Sequence, residues 1–386
     1  PSGTVSGYFR DDKWNAKDHI QNRVLPYSNK QYSGTFGGPI VRDRIHFFGN
    51  IERETEPSTV TFSSPYPAFN VDLEGERTEF KAGPKVDWQF TPNLRMSTRY
   101  TRYQVKIPNI GTGGAAVHPS TGRVDERVAN QWFFDVNQVV NARSLNSVKV
   151  GTAYLRYLLQ PVAGWGTTGN RRPPGTPSLY RDVFGGEEID GGVPVLAFSG
   201  YMFGNTNNPQ SSGEKVYSLR DDFTTSFELK GRHDIKTGGE WIRYTMDTAW
   251  CNNCNGRLNF NVAPPATIQQ LIPVWDDAST WNLRALSPLV SNYTVAIGDF
   301  AWAIKRNLFA GWVQDDWAVS NRLTVNMGVR YDNDLGGHGE TIVFEPWLTG
   351  RRPHDLNNVA PRTGFAYQVT DRTVIRGGDG LFFTQL

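Results

Sequence analysis

The sequence predicts an all-β protein, an antiparallel up-and-down β-barrel crossing a membrane, and three observations predict it. Strand-like runs come in pairs joined by very short polar turns. Much longer segments rich in Gly, Pro and Asn separate the pairs. Aromatic residues make up 13% of the chain, while all hydrophobic residues together reach only 38%. That balance suits alternating strands, where every second residue is apolar, better than a soluble aliphatic core.

Six hairpins can be read in order. Gln31 to Ile40 returns as Arg44 to Glu54, and Thr78 to Phe90 returns as Asn93 to Val105. Gln131 to Val140 pairs with Leu145 to Leu158, and Val216 to Leu229 with His233 to Met246. Asn307 to Val319 pairs with Arg322 to Tyr331, and Asn358 to Val369 with Thr373 to Phe383. This gives about twelve strands, with Gly7 to Asp12 a candidate thirteenth. Between them lie long segments read as irregular: Thr55 to Arg77, Lys106 to Asn130, Leu159 to Lys215, Asp247 to Arg306 and Asp332 to Asn357. A compact soluble domain rarely carries several such connections. A membrane barrel does, with short turns on its periplasmic rim and long loops outside.

The strand patterns agree with a two-faced wall. Leu323, Val325, Met327, Val329 and Tyr331 alternate with Thr324, Asn326, Gly328, Arg330 and Asp332. Leu94, Met96, Thr98 and Tyr100 alternate with Arg95, Ser97, Arg99 and Thr101. In a barrel the apolar set would face lipid, and Arg95, Arg99 and Arg330 would face the lumen. No apolar run approaches the roughly 20 residues of a membrane-spanning helix. The formal net charge of +2, without a basic cluster, argues against a nucleic-acid partner.

Little suggests catalysis. Asp315 and Asp316, like Asp221 and Asp222, are adjacent on strands and so point to opposite faces, which makes them poor acid–base partners. One of each pair is expected on a lumen cation and the other near a rim. The six histidines lack the spacing of a local metal pair, one C-x-x-C gives too few zinc ligands, and nothing calls for a cofactor. Cys251 and Cys254 sit among Asn252, Asn253, Asn255 and Gly256, a turn rather than the helix start of a redox motif, so a loop disulfide is expected. Gly377-Gly378-Asp379-Gly380 lacks the Lys-Ser/Thr of a phosphate loop and lies inside a strand pattern. The aromatic residues of the long segments, Trp165, Tyr201, Phe203, Trp250, Trp275, Trp281, Tyr293 and Trp302, are the candidates for ligand contact, with loop packing or an interfacial girdle as the alternative.

Three segments carry a family resemblance. Gly34-Thr35-Phe36-Gly37-Gly38-Pro39-Ile40 followed by Asp43-Arg44-Ile45-His46-Phe47-Phe48-Gly49 is the first. The second runs from Phe309 to Trp317 and on through Leu323 to Asp332, and the third from Asn358 to Tyr367 and Ile375 to Phe383. In this order they resemble the barrel of TonB-dependent receptors, in particular the Oar-like group that carries a carboxypeptidase-regulatory-like domain. The resemblance implies a barrel of about twenty-two strands filled by a plug domain. It also implies the outer membrane of a Gram-negative bacterium, an extracellular ligand of unknown identity, and energy relayed by a TonB complex. Residues 1–386 would then be one part of a single barrel domain. The plug and N-terminal domains would lie outside it, and both chain ends read as cuts through the barrel. A passive porin-like barrel and a secreted glycan-binding β protein are the competing functions.

Overall fold

The computed structural model describes residues 1–386 apart from 21, 26, 112–115, 164–191, 206, 298–299, 338, 341, 351 and 384–386. Strands dominate the chain. They begin with β1 (Ser2–Asp11), β2 (Ser28–Val41), β3 (Ile45–Phe62), β4 (Val71–Ala82), β5 (Lys85–Thr91), β6 (Leu94–Ile110), β7 (Arg123–Asn141) and β8 (Ser144–Pro161). Two short strands follow, β9 (Val195–Phe198) and β10 (Tyr201–Phe203), then β11 (Gln210–Glu228) and β12 (Arg232–Ala249). After the short β13 (Arg257–Phe260) and β14 (Val290–Thr294) come β15 (Ala301–Ser320), β16 (Leu323–Leu335), β17 (Val359–Thr370) and β18 (Thr373–Gly380).

Fourteen of these form one antiparallel sheet, and neighbours in it follow chain order from β1 to β18. β4 and β5 share one position, since both pair with β3 and with β6. The break falls at Gly83 and Pro84. Pro84 has no N–H to donate, but Gly83 N donates to Asn50 O and Tyr100 N to Pro84 O, so the ladder continues across it. All six expected hairpins are present, and the candidate thirteenth strand is β1.

Local chemistry closes the short turns. Five of the six hairpins carry a register shift just before the turn, at Val41, Thr91, Asn141, Ser320 and Thr370. In three, the side-chain oxygen of that residue accepts the N–H two residues on: Asn141 from Arg143, Ser320 from Arg322 and Thr370 from Arg372. These are the Asx and Ser/Thr turns that such residues favour.

On the other rim the strands run well past the expected ends, and β15 reaches 20 residues. A tilted strand needs about 9–11 residues to cross the bilayer, so roughly half of β15 stands beyond it.

The register sorts the two faces. Directly paired residues lie on the same face, so rows can be followed across strands. Tyr100, Trp132, Thr152 and Tyr217 form one apolar row. Phe227, His233, Trp317, Val325 and Phe365 form another near the short turns. The opposite face holds rows such as Asp135, Lys149, Arg220 and Glu240.

Four of the five long segments correct the expectation that they are irregular; the one between β16 and β17 holds no further strand or helix among the described residues. Those after β3, β6, β8 and β12 meet above the sheet and build a cap. Its four-stranded sheet runs β10-β9-β13-β14, with β9 and β13 parallel. Two single-turn helices, α1 (Ile268–Leu271) and α2 (Leu283–Leu286), pack beside it. Phe62, Phe69, Leu196, Phe203, Ile268 and Leu286 are among its fully buried side chains. The main hydrophobic core of the described chain is therefore in the cap, because a single-layer wall has no second layer to bury its side chains against.

Candidate functional site

The polar face of the wall is built from charge pairs two residues apart. Arg220 makes a two-pronged contact with Asp222 at 2.8 and 2.9 Å, and Arg330 does the same with Asp332 at 2.9 Å. Lys85 with Asp87 (2.8 Å), Arg123 with Asp125 (2.8 Å) and Arg232 with Asp234 (3.0 Å) repeat the spacing, as do Arg77 and Glu79. Residues i and i+2 share a strand face, so each pair lies flat along the wall.

Among the sequence candidates, Arg95 and Arg99 stand on this same polar face, Arg95 on Asp87 at 3.2 Å and Arg99 over the Phe133 ring at 5.6 Å. Arg330 joins a larger group. Trp312 has the Arg220 guanidinium 4.6 Å from its ring centroid and that of Arg330 at 5.2 Å. Its ring lies across Gly238, where a Cβ would come within 2.5 Å of it. Of the adjacent acids, Asp222 takes Arg220 and Lys149, but Asp221 pairs with Gly239 and Val148 in the interior of β11 and not near a rim; Asp315 and Asp316 divide as expected. Asp316 takes Lys236 at 2.6 Å on the polar face, and Asp315 takes His233 at 2.6 Å near the short-turn rim.

A second site lies where the cap meets the strand tops. A cavity of about 550 Å³ opens there, within the range of small-molecule sites. Asn205, Asn207, Asn208, Gln210, Asn252 and Asn253 are in its lining, with Arg123, Arg257, Tyr157 and Trp250 and the apolar Val117, Leu159, Val195 and Met202. Its walls are stitched together. Asn205 Nδ2 donates to Thr121 O at 2.6 Å, Asn253 N to Asn207 Oδ1 at 3.3 Å and Asn255 Nδ2 to Asn208 O at 2.9 Å. Cys251 and Cys254 are disulfide-bonded across the turn that presents Asn252 and Asn253. Asn253 adopts φ +62°, a left-handed conformation that asparagine tolerates. Beneath them Asp125 is buried and takes hydrogen bonds from Arg123 at 2.8 Å and Tyr157 at 3.0 Å.

The aromatic candidates separate by position. Tyr201, Phe203 and Trp281 are buried in the cap core, and Trp275 packs against it. Burial pushes the Tyr201 hydroxyl up to about 12. Trp250, Tyr293 and Trp302 remain exposed, and of these Trp250 lines the cavity. Trp165 lies outside the described residues.

Residues 2–82 and 68–386 match the family described as outer membrane beta barrel domain. The chain belongs to this outer-membrane β-barrel family.

Three solved structures share its fold. The outer membrane transporter YddB from Escherichia coli is 12% identical, with 97% of this chain and 43% of that one covered and a TM-score of 0.56. FpvA from Pseudomonas aeruginosa, in complex with a heterologous pyoverdine and iron, is 11% identical over 91% and 40%, with a TM-score of 0.52. The siderophore receptor PirA from Acinetobacter baumannii is 10% identical over 97% and 42%, with a TM-score of 0.50. The chain spans less than half the length of each. No curated protein matches the sequence.

As a barrel of the Gram-negative outer membrane, the wall turns its apolar face to lipid, with Tyr100, Trp132 and Tyr217 toward the loops and Phe227 and Trp317 at the short-turn rim. Membership also removes the soluble secreted protein from the competing functions.

Sequence reasoning named Arg330 but missed Trp312, Arg220 and the carboxamide cavity. A scan for Arg-x-Asp at strand spacing would have found the charge pairs. Nothing local in the sequence brings Asn205–Asn208 beside Asn252 and Asn253.

Proposed function

We propose that this chain is the wall and cap of an energised outer-membrane receptor of the Oar-like group. In this reading it is part of one larger barrel. Other segments of the protein complete that barrel, supply a plug, and receive energy through a TonB complex. The cap captures a ligand outside the cell, and the polar wall, with Arg95, Arg99 and Arg330 on its face, lines the route inward. The protein carries out no chemistry on its ligand.

The observation that carries this reading is the cap itself. A passive pore gains nothing from a separately packed core set over its mouth, whereas a receptor needs loops held in fixed positions before ligand arrives. The lumen-facing rows are closely compensated in charge, as suits a wall that contacts another polar protein surface. Uptake of the ligand by whole cells is the test. Loss of uptake when TonB is deleted, with binding to cells retained, is the expected result. Uptake unchanged without TonB would favour the passive barrel.

A further inference from the structure

The chemistry of the junction cavity narrows what the cap takes. Six Asn and Gln residues are in its lining, and among the described residues no carboxylate is. Of its two guanidinium groups, Arg123 is already paired with the buried Asp125 at 2.8 Å, which leaves the single charge of Arg257, whose Nε donates to the neutral Asn259 Oδ1 at 2.9 Å. A multiply charged anionic chelate losing its water here would meet too little positive charge to offset the cost. Each carboxamide offers both donors and an acceptor, and each sugar hydroxyl asks for both. The indole of Trp250, about two-fifths exposed beside these amides, supplies the flat apolar surface on which the C–H face of a pyranose stacks.

We propose that this cavity is a carbohydrate subsite, with Trp250 as the stacking platform and the accessible Asn207, Asn252 and Asn253 as hydroxyl partners. The proposal rests on the receptor reading and specifies its ligand as a neutral oligosaccharide. The disulfide of Cys251 and Cys254 fixes the turn that carries Asn252 and Asn253, so the site is formed before ligand arrives.

The test uses the whole native protein purified in detergent. Binding of cellotetraose, xylotetraose, maltotetraose and chitotetraose is followed by calorimetry, with ferric pyoverdine as the anionic comparison. At least one tetrasaccharide should bind saturably. Trp250→Ala should weaken that binding tenfold or more, and Trp250→Phe should retain most of it. Unchanged thermal unfolding of both variants shows that the cap stays folded. If no tetrasaccharide binds, or if Trp250→Ala binds as well as the parent, the carbohydrate assignment is overturned. Ferric pyoverdine binding in place of sugars would also overturn it while leaving the receptor reading intact. Failure of the receptor reading shows separately, as uptake that continues without TonB.

Discussion

Single residues in this wall and cap do work that their types alone do not announce. His118 is fully buried in the cap, its ring 5.1 Å from Phe62, 5.5 Å from Phe69 and 4.7 Å from Phe203. Nδ1 accepts the Ser120 N–H at 3.1 Å, so the proton of the neutral ring sits on Nε2, which has no hydrogen-bond partner among the described residues. Burial pushes its pKa down from 6.5 to about 3. The unfolded cap therefore binds this proton more readily than the folded one, and stability falls as pH drops from about 6.5 toward 3, by roughly 1.4 kcal/mol per unit. Protection factors against hydrogen exchange over 195–203, taken relative to the intrinsic rate at each pH, should fall across that window, and His118→Phe should abolish the trend. Equal pH dependence in both proteins would remove His118 as its source. Gly238 is a second case. A Cβ there would sit 2.5 Å from the Trp312 ring and 2.3 Å from the Asp221 carbonyl oxygen. Gly238→Ala should cost about 1–3 kcal/mol as an overpacked site and should shift Trp312 emission. An unchanged unfolding midpoint and spectrum would show that the wall absorbs the methyl group.

At the scale of elements, the barrel strands were legible and the cap was not, for a physical reason. A hairpin is local: its alternation, its turn residues and its partner lie within about thirty residues of one another, so period and turn chemistry suffice. Asn141, Ser320 and Thr370 sit at the turns, where their side chains take the orphan N–H groups. The cap strands β9, β10, β13 and β14 are only 3–5 residues long and are assembled from distant segments. Their stability comes from contacts such as Phe198 stacked on Phe260 at 4.1 Å, which no local pattern encodes. The same logic explains why the loop aromatics were only half resolved: Tyr201 and Phe203 became core, while Trp250 stayed at the cavity. The sidedness of the strands yields a sharp comparison. Val329 pairs with Val313 on the lipid face near the middle of the bilayer span, whereas Asn326 pairs with Asp316 on the polar face. Val329→Lys should cost about 2–4 kcal/mol. Asn326→Lys, beside a carboxylate, should change little. Denaturant unfolding of the whole protein in lipid vesicles would measure both, and equal costs would contradict the assignment of faces.

At the scale of the whole molecule, the wall is one antiparallel sheet whose two outer strands each have one neighbour among the described residues: β1 pairs with β2, and β18 with β17. Each leaves a row of backbone N–H and C=O groups without a ladder partner in the described chain. In water such an edge is a liability for aggregation. In hydrocarbon it is far worse, since no solvent can satisfy the groups and each costs several kcal/mol. The β1 edge alone presents a ten-residue strand, so its unpaired groups outweigh the roughly 5–15 kcal/mol that holds an ordinary domain together. The cap offers no remedy, because among the described residues its strands pair with neither edge. Residues 1–386 expressed alone should therefore not give a monomer with the heat-modifiable gel mobility of a folded barrel. They should aggregate, or pair β1 with β18 of a second copy. Appending strands that bridge the two edges should restore the monomer. Recovery of a monomeric, cooperatively melting protein from this chain alone in lipid would mean that the wall can close on itself with thirteen strand positions, and that the proposed larger barrel is unnecessary.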